Sequence, residues 1–491
     1  MKSGLRSAAL TALLVLAGCA VAPAYDPPRP EVPASFKEAA GGNWKAAQPA
    51  EAAHRGRWWA VFGDPVLDRL QERAADANQD LKAAVARLAQ ARARLGEARA
   101  DLYPRVDAGA GPTRQRPSPA SRGLPAEANT SPSTLWRAQA SVAYEVDLFG
   151  RVAAGVEAAS AQAEQGEALL RSVQLAVQAD VAQAYFLVRE LDAGQELYGG
   201  TVALRERTLA LIQRRYDEGD ISELDLARAR TELASARSEA LDIARQRATA
   251  EHALAILLGE APASFSLPPS PLARLAVSVP PGLPSDLLER RPDIAAAERA
   301  MAAANARVGV ARTAFFPRLE LTGALGYESA QLGDLFNWSS RTFLLGPLVG
   351  TMLTLPIFDG GRREAGLQAA RAAYEEEAAR YRQTVLAAFK EVEDNLANLR
   401  ILADQYRAQD EAVASAARAA RLSQIQYREG SVSYLDVIDA DRSVLQQRRV
   451  ATRLDGELAR STVNLIRALG GGWEGQAPAP AAALLLPRQP S

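Results

Sequence analysis

Between Ala138 and Leu148 the chain alternates. Ala138, Ala140, Val142, Tyr144, Val146 and Leu148 are apolar, and Gln139, Ser141, Ala143, Glu145 and Asp147 between them are mostly polar. A period of two predicts a strand with one apolar face. Leu319, Leu321, Leu325 and Tyr327 alternate in the same way with Arg318, Glu320, Thr322 and Ala324, and Val106, Ala108 and Ala110 give a weaker version. Residues 344–358 are apolar and strand-like without clean alternation. Each segment is about 10 residues, the length that crosses a bilayer as a tilted strand. A half-buried strand of a soluble sheet has the same period. The stretch 113–135, full of Pro, Ser and Arg, suits the surface loop that a spanning hairpin needs. Four strands cannot close a barrel, because single-chain membrane barrels start at about eight. An open edge is not tolerated in lipid. If these strands span, several chains combine; three copies give about twelve strands and a wider lumen than two.

A different period rules the rest. Residues 151–216 and 362–427 contain no Pro, and each segment reaches roughly 100 Å as an unbroken helix. Leu170, Val173, Val177, Val181, Ala184, Val188 and Leu191 recur at steps of three and four, the mean spacing of a coiled-coil seam. Gly194, Gly199 and Gly200 interrupt the first rod, where each costs about 1 kcal/mol relative to Ala; a kink or a packing notch is expected there. Earlier, residues 65–100 read as a helix, preceded by the aromatic cluster Trp58, Trp59 and Phe62, which suits a hydrophobic anchor for the helix start.

The plan occurs twice. Residues 216–225 match residues 427–436 without a gap, at an offset of 211 that also relates Gly150-Arg151 to Gly361-Arg362 and Leu258-Gly259 to Leu469-Gly470. Each half reads helix, strand, loop, strand, long helix, tight turn, helix. The rods end at Gly219 and Gly430, where glycine supplies a left-handed cap, and Ser222 and Ser433 can cap the returning helices. The divisions expected are 1–18, a signal peptide; 19–63, a lipidated tether rich in Pro and Ala; 64–260, repeat one; 261–284, a linker; 285–470, repeat two; and 471–491, a disordered Pro/Ala-rich tail.

Composition narrows the function. The 491 residues carry 57 Lys+Arg against 58 Asp+Glu, so there is no basic excess for nucleic acid. One Cys and two His exclude a disulfide framework and a Cys-rich metal site. No nucleophile–base spacing appears, so an enzyme is disfavoured, and no cofactor is expected beyond a covalent lipid. Lys2 and Arg6 precede a short apolar run that ends Leu16-Ala17-Gly18-Cys19. This layout is a signal peptide, and its end resembles a bacterial lipobox. That resemblance makes Cys19 the lipidated residue (S-diacylglycerol and N-acyl chains), and Ala20 after it implies sorting to the outer membrane. No later run is long and apolar enough for a helical span.

The motifs in order resemble the outer-membrane efflux family, the TolC-like channels, in its lipoprotein branch (NodT-type, OprM-like). They are the lipobox, Glu145-Val146-Asp147-Leu148-Phe149-Gly150-Arg151, Leu287-Leu288-Glu289-Arg290-Arg291-Pro292-Asp293-Ile294, Phe315-Phe316-Pro317-Arg318, Leu355-Pro356-Ile357-Phe358-Asp359-Gly360-Gly361-Arg362 and the paired glycine turns. The resemblance implies an α+β membrane protein: a long α-helical coiled-coil barrel plus four transmembrane strands per chain, completing a 12-stranded β-barrel as a homotrimer. It implies a passive outer-membrane channel for small molecules, fed by a periplasmic adaptor and an inner-membrane pump. The family's aperture positions match Leu435, Asp436 and Asp439, and the hairpin turns at Gly219, Ser222, Gly430 and Ser433 are the implied adaptor-docking points. Three copies of each acid would form rings that attract cations, and crowding would raise their pKa values; a helix start also favours acids on its own account. Asp225 stands at the Asp436 place in the first repeat, whereas Arg228 stands at that of Asp439, so one hairpin is expected to gate and the other to dock. The same architecture can serve as the exit duct of a protein secretion system. A lipid-anchored periplasmic coiled-coil scaffold without a pore is the alternative of another class, against which the alternating strands argue.

Overall fold

The fold comes from a computed structural model that describes residues 21, 23–27, 32–33, 36–38, 56–270, 272, 287–288, 290–346 and 352–471. Cys19, the signal segment, most of the linker and the tail beyond Gly471 lie outside the described residues. The chain forms two compact units, one built on Arg87–Glu167 and Ala296–Tyr381, the other on Ala168–Ala295 with the described parts of Pro30–Ala86 and Arg382–Ser491.

The first unit holds the sheet. Its strands are β1 (Arg105–Gln115), β2 (Ser133–Val146), β3 (Arg318–Ser329), β4 (Arg341–Leu345) and β5 (Leu353–Thr354). All pairings are antiparallel, in the order β1-β2-β3-β4, with β5 also on β3. The sheet is thus four strands wide, and its fourth place is shared by β4 and β5. Among the described residues, the apolar run expected over 344–358 is strand in these two pieces; beyond Thr354 the chain runs through Pro356, which cannot donate to a ladder, toward the next helix.

Register sorts the side chains. Val106 pairs with Val142, Val142 with Gly323 and Gly323 with Leu345; Ala108, Ala140, Leu325 and Phe343 form the next row; Ala110, Ala138 and Tyr327 the one after. Directly paired residues share a face, so one face is apolar across these rows except for Arg341, which ends the third at the β4 edge. The other carries Asp107, Gln139, Ser141, Glu145, Arg318, Glu320, Thr322 and Glu328 by the same registers. Where the strands give way to helix, Arg151 bonds Glu145 (Nε to Oε1, 2.6 Å), and Phe149 stacks on Phe316 at 4.8 Å between centroids.

The helices are α1 (Pro65–Ala77), α2 (Gln79–Ala100), α3 (Arg151–Asp217), α4 (Glu223–Leu257), α5 (Pro292–Thr313), α6 (Arg362–Arg428) and α7 (Tyr434–Ala468). The single first helix expected over 65–100 is two. Asn78 ends α1 and starts the next: its Oδ1 accepts from Leu81 N–H (2.9 Å) while its Nδ2 donates to Leu257 O (2.8 Å). Beside that break, Gly259 has φ +68° and a Cβ there would lie 2.3 Å from Ala77 O, so only glycine fits. The second half's opening helix starts at Pro292, later than expected, although the described residues just before Arg291 are also helical.

α3 runs 67 residues through Gly194, Gly199 and Gly200 without a break. Gly194 is the packing notch: a Cβ there would touch Ile243 at 3.4 Å, while the other two face open space. The seam is buried as its spacing predicts. Val177, Val181, Val188 and Leu191 join Leu254, Leu258, Val463, Ile466 and the anchor Trp58 and Trp59 in one core of the second unit. Parts of the tether are docked: Tyr25 Oη donates to Glu298, and the Lys37 and Glu38 amides donate to the Glu393 carboxylate (2.6 and 3.0 Å).

Candidate functional site

The site lies at the two hairpin turns of the second unit. Gly219 has φ +82° and Gly430 has φ +74°. At each turn the residue after the glycine donates back across the helix end, Asp220 N–H to Arg215 O (2.8 Å) and Ser431 N–H to Gln426 O (2.9 Å). This is the Schellman closure, and it needs a left-handed residue. The returning helices are capped by serine. Asp225 N–H donates to Ser222 Oγ (3.4 Å) in the first turn. In the second, the Asp436 carboxylate accepts from both Ser433 N–H (2.8 Å) and Ser433 Oγ–H (2.7 Å).

Beneath the turns an apolar knot joins the hairpins: Ile212, Leu226, Ala229, Tyr434, Val437 and Ile438 are buried together. Tyr434 packs against Tyr427 at 5.7 Å between ring centroids, and Arg215 donates to Tyr427 Oη (3.1 Å). Burial pushes the Tyr434 phenol up to about 12, and its hydroxyl has no hydrogen-bond partner among the described residues.

An ionic network ties the same helices one turn further on. Arg205 of α3, 5% exposed, reaches Glu232 of α4 (3.4 Å) and Asp441 of α7 (3.5 Å). Glu232 also accepts from Arg442 Nε (2.9 Å), and Gln424 donates to Asp441 (3.1 Å). Burial raises the Asp441 carboxyl, against the lowering pull of Arg205 and Gln424. Removing one member would strand a buried charge, which costs about 3–5 kcal/mol. Sequence reading missed this network. Its members are ordinary helix-surface residues by type, and only the pairing of the two hairpins buries them.

The positions singled out in the sequence separate here. Leu435 and Asp439 are both exposed, with Arg442 Nη1 at 3.5 Å from Asp439. Asp436 is committed to its own cap, and the bonds from Ser433 hold its carboxyl below the ordinary range. Within one chain, then, Asp436 is shifted down by its cap, opposite to the rise expected from crowding. In the first repeat Asp225 meets Arg228 at 3.5 Å, so the acid there is partly neutralised by the residue that replaces an aspartate. Among the described residues no group of His, Cys, Asp and Glu could hold a metal ion, and no helix is long and apolar enough to cross a membrane.

Comparison with known proteins gives a consistent result. The family model described as "Outer membrane efflux protein" matches residues 70–260 and 283–471. The chain is 37% identical to the outer membrane protein OprJ of Pseudomonas aeruginosa over 471 residues, 95% of each chain. It is 36% identical to the toluene efflux pump outer membrane protein TtgC of Pseudomonas putida over 479 residues, 96% of each. The open-state crystal structure of the MtrE outer membrane channel of Neisseria gonorrhoeae superposes with a TM-score of 0.78 at 31% identity, covering 92% of this chain and 98% of that one.

Proposed function

This chain belongs to the outer membrane efflux protein family, and from that premise we propose how its geometry makes a conduit. It is an outer-membrane efflux channel. Three copies pair their sheets edge to edge into one twelve-stranded barrel, the apolar face outward and the polar face lining water. The two repeats of each copy supply the helices of a periplasmic tunnel. The channel performs no chemistry and takes its substrates from a periplasmic adaptor and an inner-membrane pump.

One observation carries this reading: the apolar face of the sheet is exposed. Val106, Leu325, Phe343 and Leu345 are 70, 67, 75 and 83% exposed in the chain. A contiguous apolar sheet face open to water is not stable in a soluble protein. The strand ends β1 and β4 are unpaired edges among the described residues, which lipid forbids unless another copy seals them. The helix seams serve the same end, since Ala-rich faces let neighbouring helices approach closely.

At the turns, three copies of Leu435 form an apolar constriction, and three of Asp439 hold cations. Asp436 contributes first by capping. The turns around Gly219, Ser222, Gly430 and Ser433 receive the adaptor; photo-crosslinkers at Ser222 or Ser433 should capture it in cells, and a failure to capture any protein at either position would remove this assignment. Lipid on Cys19 adds a second hold on the membrane, worth roughly 0.8 kcal/mol per buried methylene. A Cys19→Ala variant tests the barrel. It should remain in the membrane fraction and run as a heat-modifiable trimer. Full release into the aqueous fraction would favour the scaffold without a pore.

A further inference from the structure

The apolar sheet face changes character where the strands meet their loops, residues 116–132 and 330–340. Trp136 and Tyr327 are its last ring-bearing rows. Phe336 and Trp338 of the second loop fold back toward that face: Phe336 stands edge-on to Tyr327 at 5.6 Å, and the two are 72 and 77% exposed. Arg341 pairs with Tyr327 in the register, lies over the Trp338 ring and donates its Nε to Trp338 O (3.1 Å). Its guanidinium is therefore held against the indole. Arg114, in the last rows of β1, shares the apolar face and, among the described residues, meets Thr134 Oγ1 at 3.5 Å.

The two faces of the sheet treat arginine differently. On the polar face Arg137 is paired with Glu328 at 2.7 Å, and Arg318 lies 3.8 Å from Glu145. On the apolar face Arg114 and Arg341 are exposed and have no carboxylate partner among the described residues. Their height matters. From Val146 to Trp136 the apolar face spans about 33 Å of strand, or about 24 Å of bilayer depth at the usual tilt. That is the apolar band of an outer-membrane barrel: Arg114, paired with Thr134, lies one row beyond Trp136, and Arg341, in the row of Ala138, lies at the band's margin, from which its long side chain can reach the headgroups. β1 and β4 are the two edges of the sheet. Sealing neighbouring copies sets Arg114 of one on the strand next to Arg341 of another, on the same face and at the same end.

We propose that each boundary between copies binds the phosphate of an outer-leaflet glycolipid, held by Arg341 and Trp338 of one copy and Arg114 of the next. The proposal rests on the barrel reading. Two guanidiniums present bidentate donors to a phosphate, and the indole beside them sits where an amphipathic ring prefers to lie. The leaflet follows from connectivity: α2 and α3 join the strands at the opposite ends, so the loops face outward. The lipid is phosphorylated lipid A rather than a phospholipid, because the outer leaflet presents phosphates on a sugar backbone.

The full-length trimer in mild detergent, titrated with bis-phosphorylated lipid A and followed by native mass spectrometry, tests this. Wild type should take up to three lipid A molecules per trimer and ignore the dephosphorylated lipid. Arg114→Gln with Arg341→Gln should lower apparent affinity about tenfold or more, with the heat-modifiable trimer intact; Trp338→Ala should lower it less. Equal uptake of dephosphorylated lipid A, equal uptake of phosphatidylglycerol, or unchanged binding by the double variant would overturn the site while leaving the barrel standing. Absence of any wild-type trimer would overturn both.

Discussion

Asp436 shows how a local rule fixes a side chain at a position proposed for the aperture. Its carboxylate closes the α7 cap through Ser433, and its pKa is lowered for that reason. A carboxyl lowered by folding stabilises the fold above its unfolded value, near pH 4, and loses that contribution as pH falls through the lower folded value. Asp441 has the opposite sign. Burial raises it, so acid relieves a cost and its effect runs against that of Asp436. The cap can be isolated by comparing wild type with Asp436→Asn in limited proteolysis at the turn. Wild type should be the more resistant at about pH 7, and the difference should shrink as pH falls below the unfolded value of about 4 and through the lower folded one. A difference that persists at low pH would mean the carboxylate charge is not what closes the cap. A separate variant tests the role proposed for Asp439. Asp439→Ala should reduce cation selectivity in planar bilayers with little change in protease resistance; unchanged selectivity would remove it from the aperture.

The strands and rods were legible because each has one period. The alternation from Ala138 to Val146 is the β2 observed, and the Pro-free stretches are α3 and α6 almost to the residue. What was not legible depends on partners. Asn78 reads as one more polar residue in a helix until its amide is seen to reach Leu257 O from another segment. The fourth strand has no clean alternation, and only its register with β3 shows which of its residues share the apolar face. The turns were plain from Gly219, Ser222, Gly430 and Ser433, whose roles are local; the Arg205–Glu232–Asp441 network beneath them was not, since its residues come from three helices. The two faces of the sheet make opposite predictions. Leu325→Arg should lower the yield of membrane-inserted trimer, because an arginine at mid-bilayer costs about 2–4 kcal/mol. Gln139→Lys, on the polar face, should leave that yield unchanged and shift ion selectivity toward anions. Equal yields from the two variants, read on heat-modifiable gels, would mean that the faces are not distinguished by lipid.

At the scale of the whole molecule, the chain is incomplete as it stands alone. Its core in the helical unit is closed around Trp58, Phe186 and Leu254, yet among the described residues its sheet leaves an apolar face and two edges open. On the proposed reading, the missing material is more of the same sheet. Edge-to-edge association of a sheet four strands wide either closes at a fixed number or grows without limit; a barrel closes. The most direct measurement pairs Phe343→Cys on β4 with single cysteines scanned along β1 from Val106 to Arg114, since closing a tilted barrel staggers the register between copies, in a Cys19→Ala background, oxidised in native outer membranes. The account predicts a crosslinked ladder on denaturing gels that ends at three chains. Monomers alone, or a ladder running past three, would contradict it.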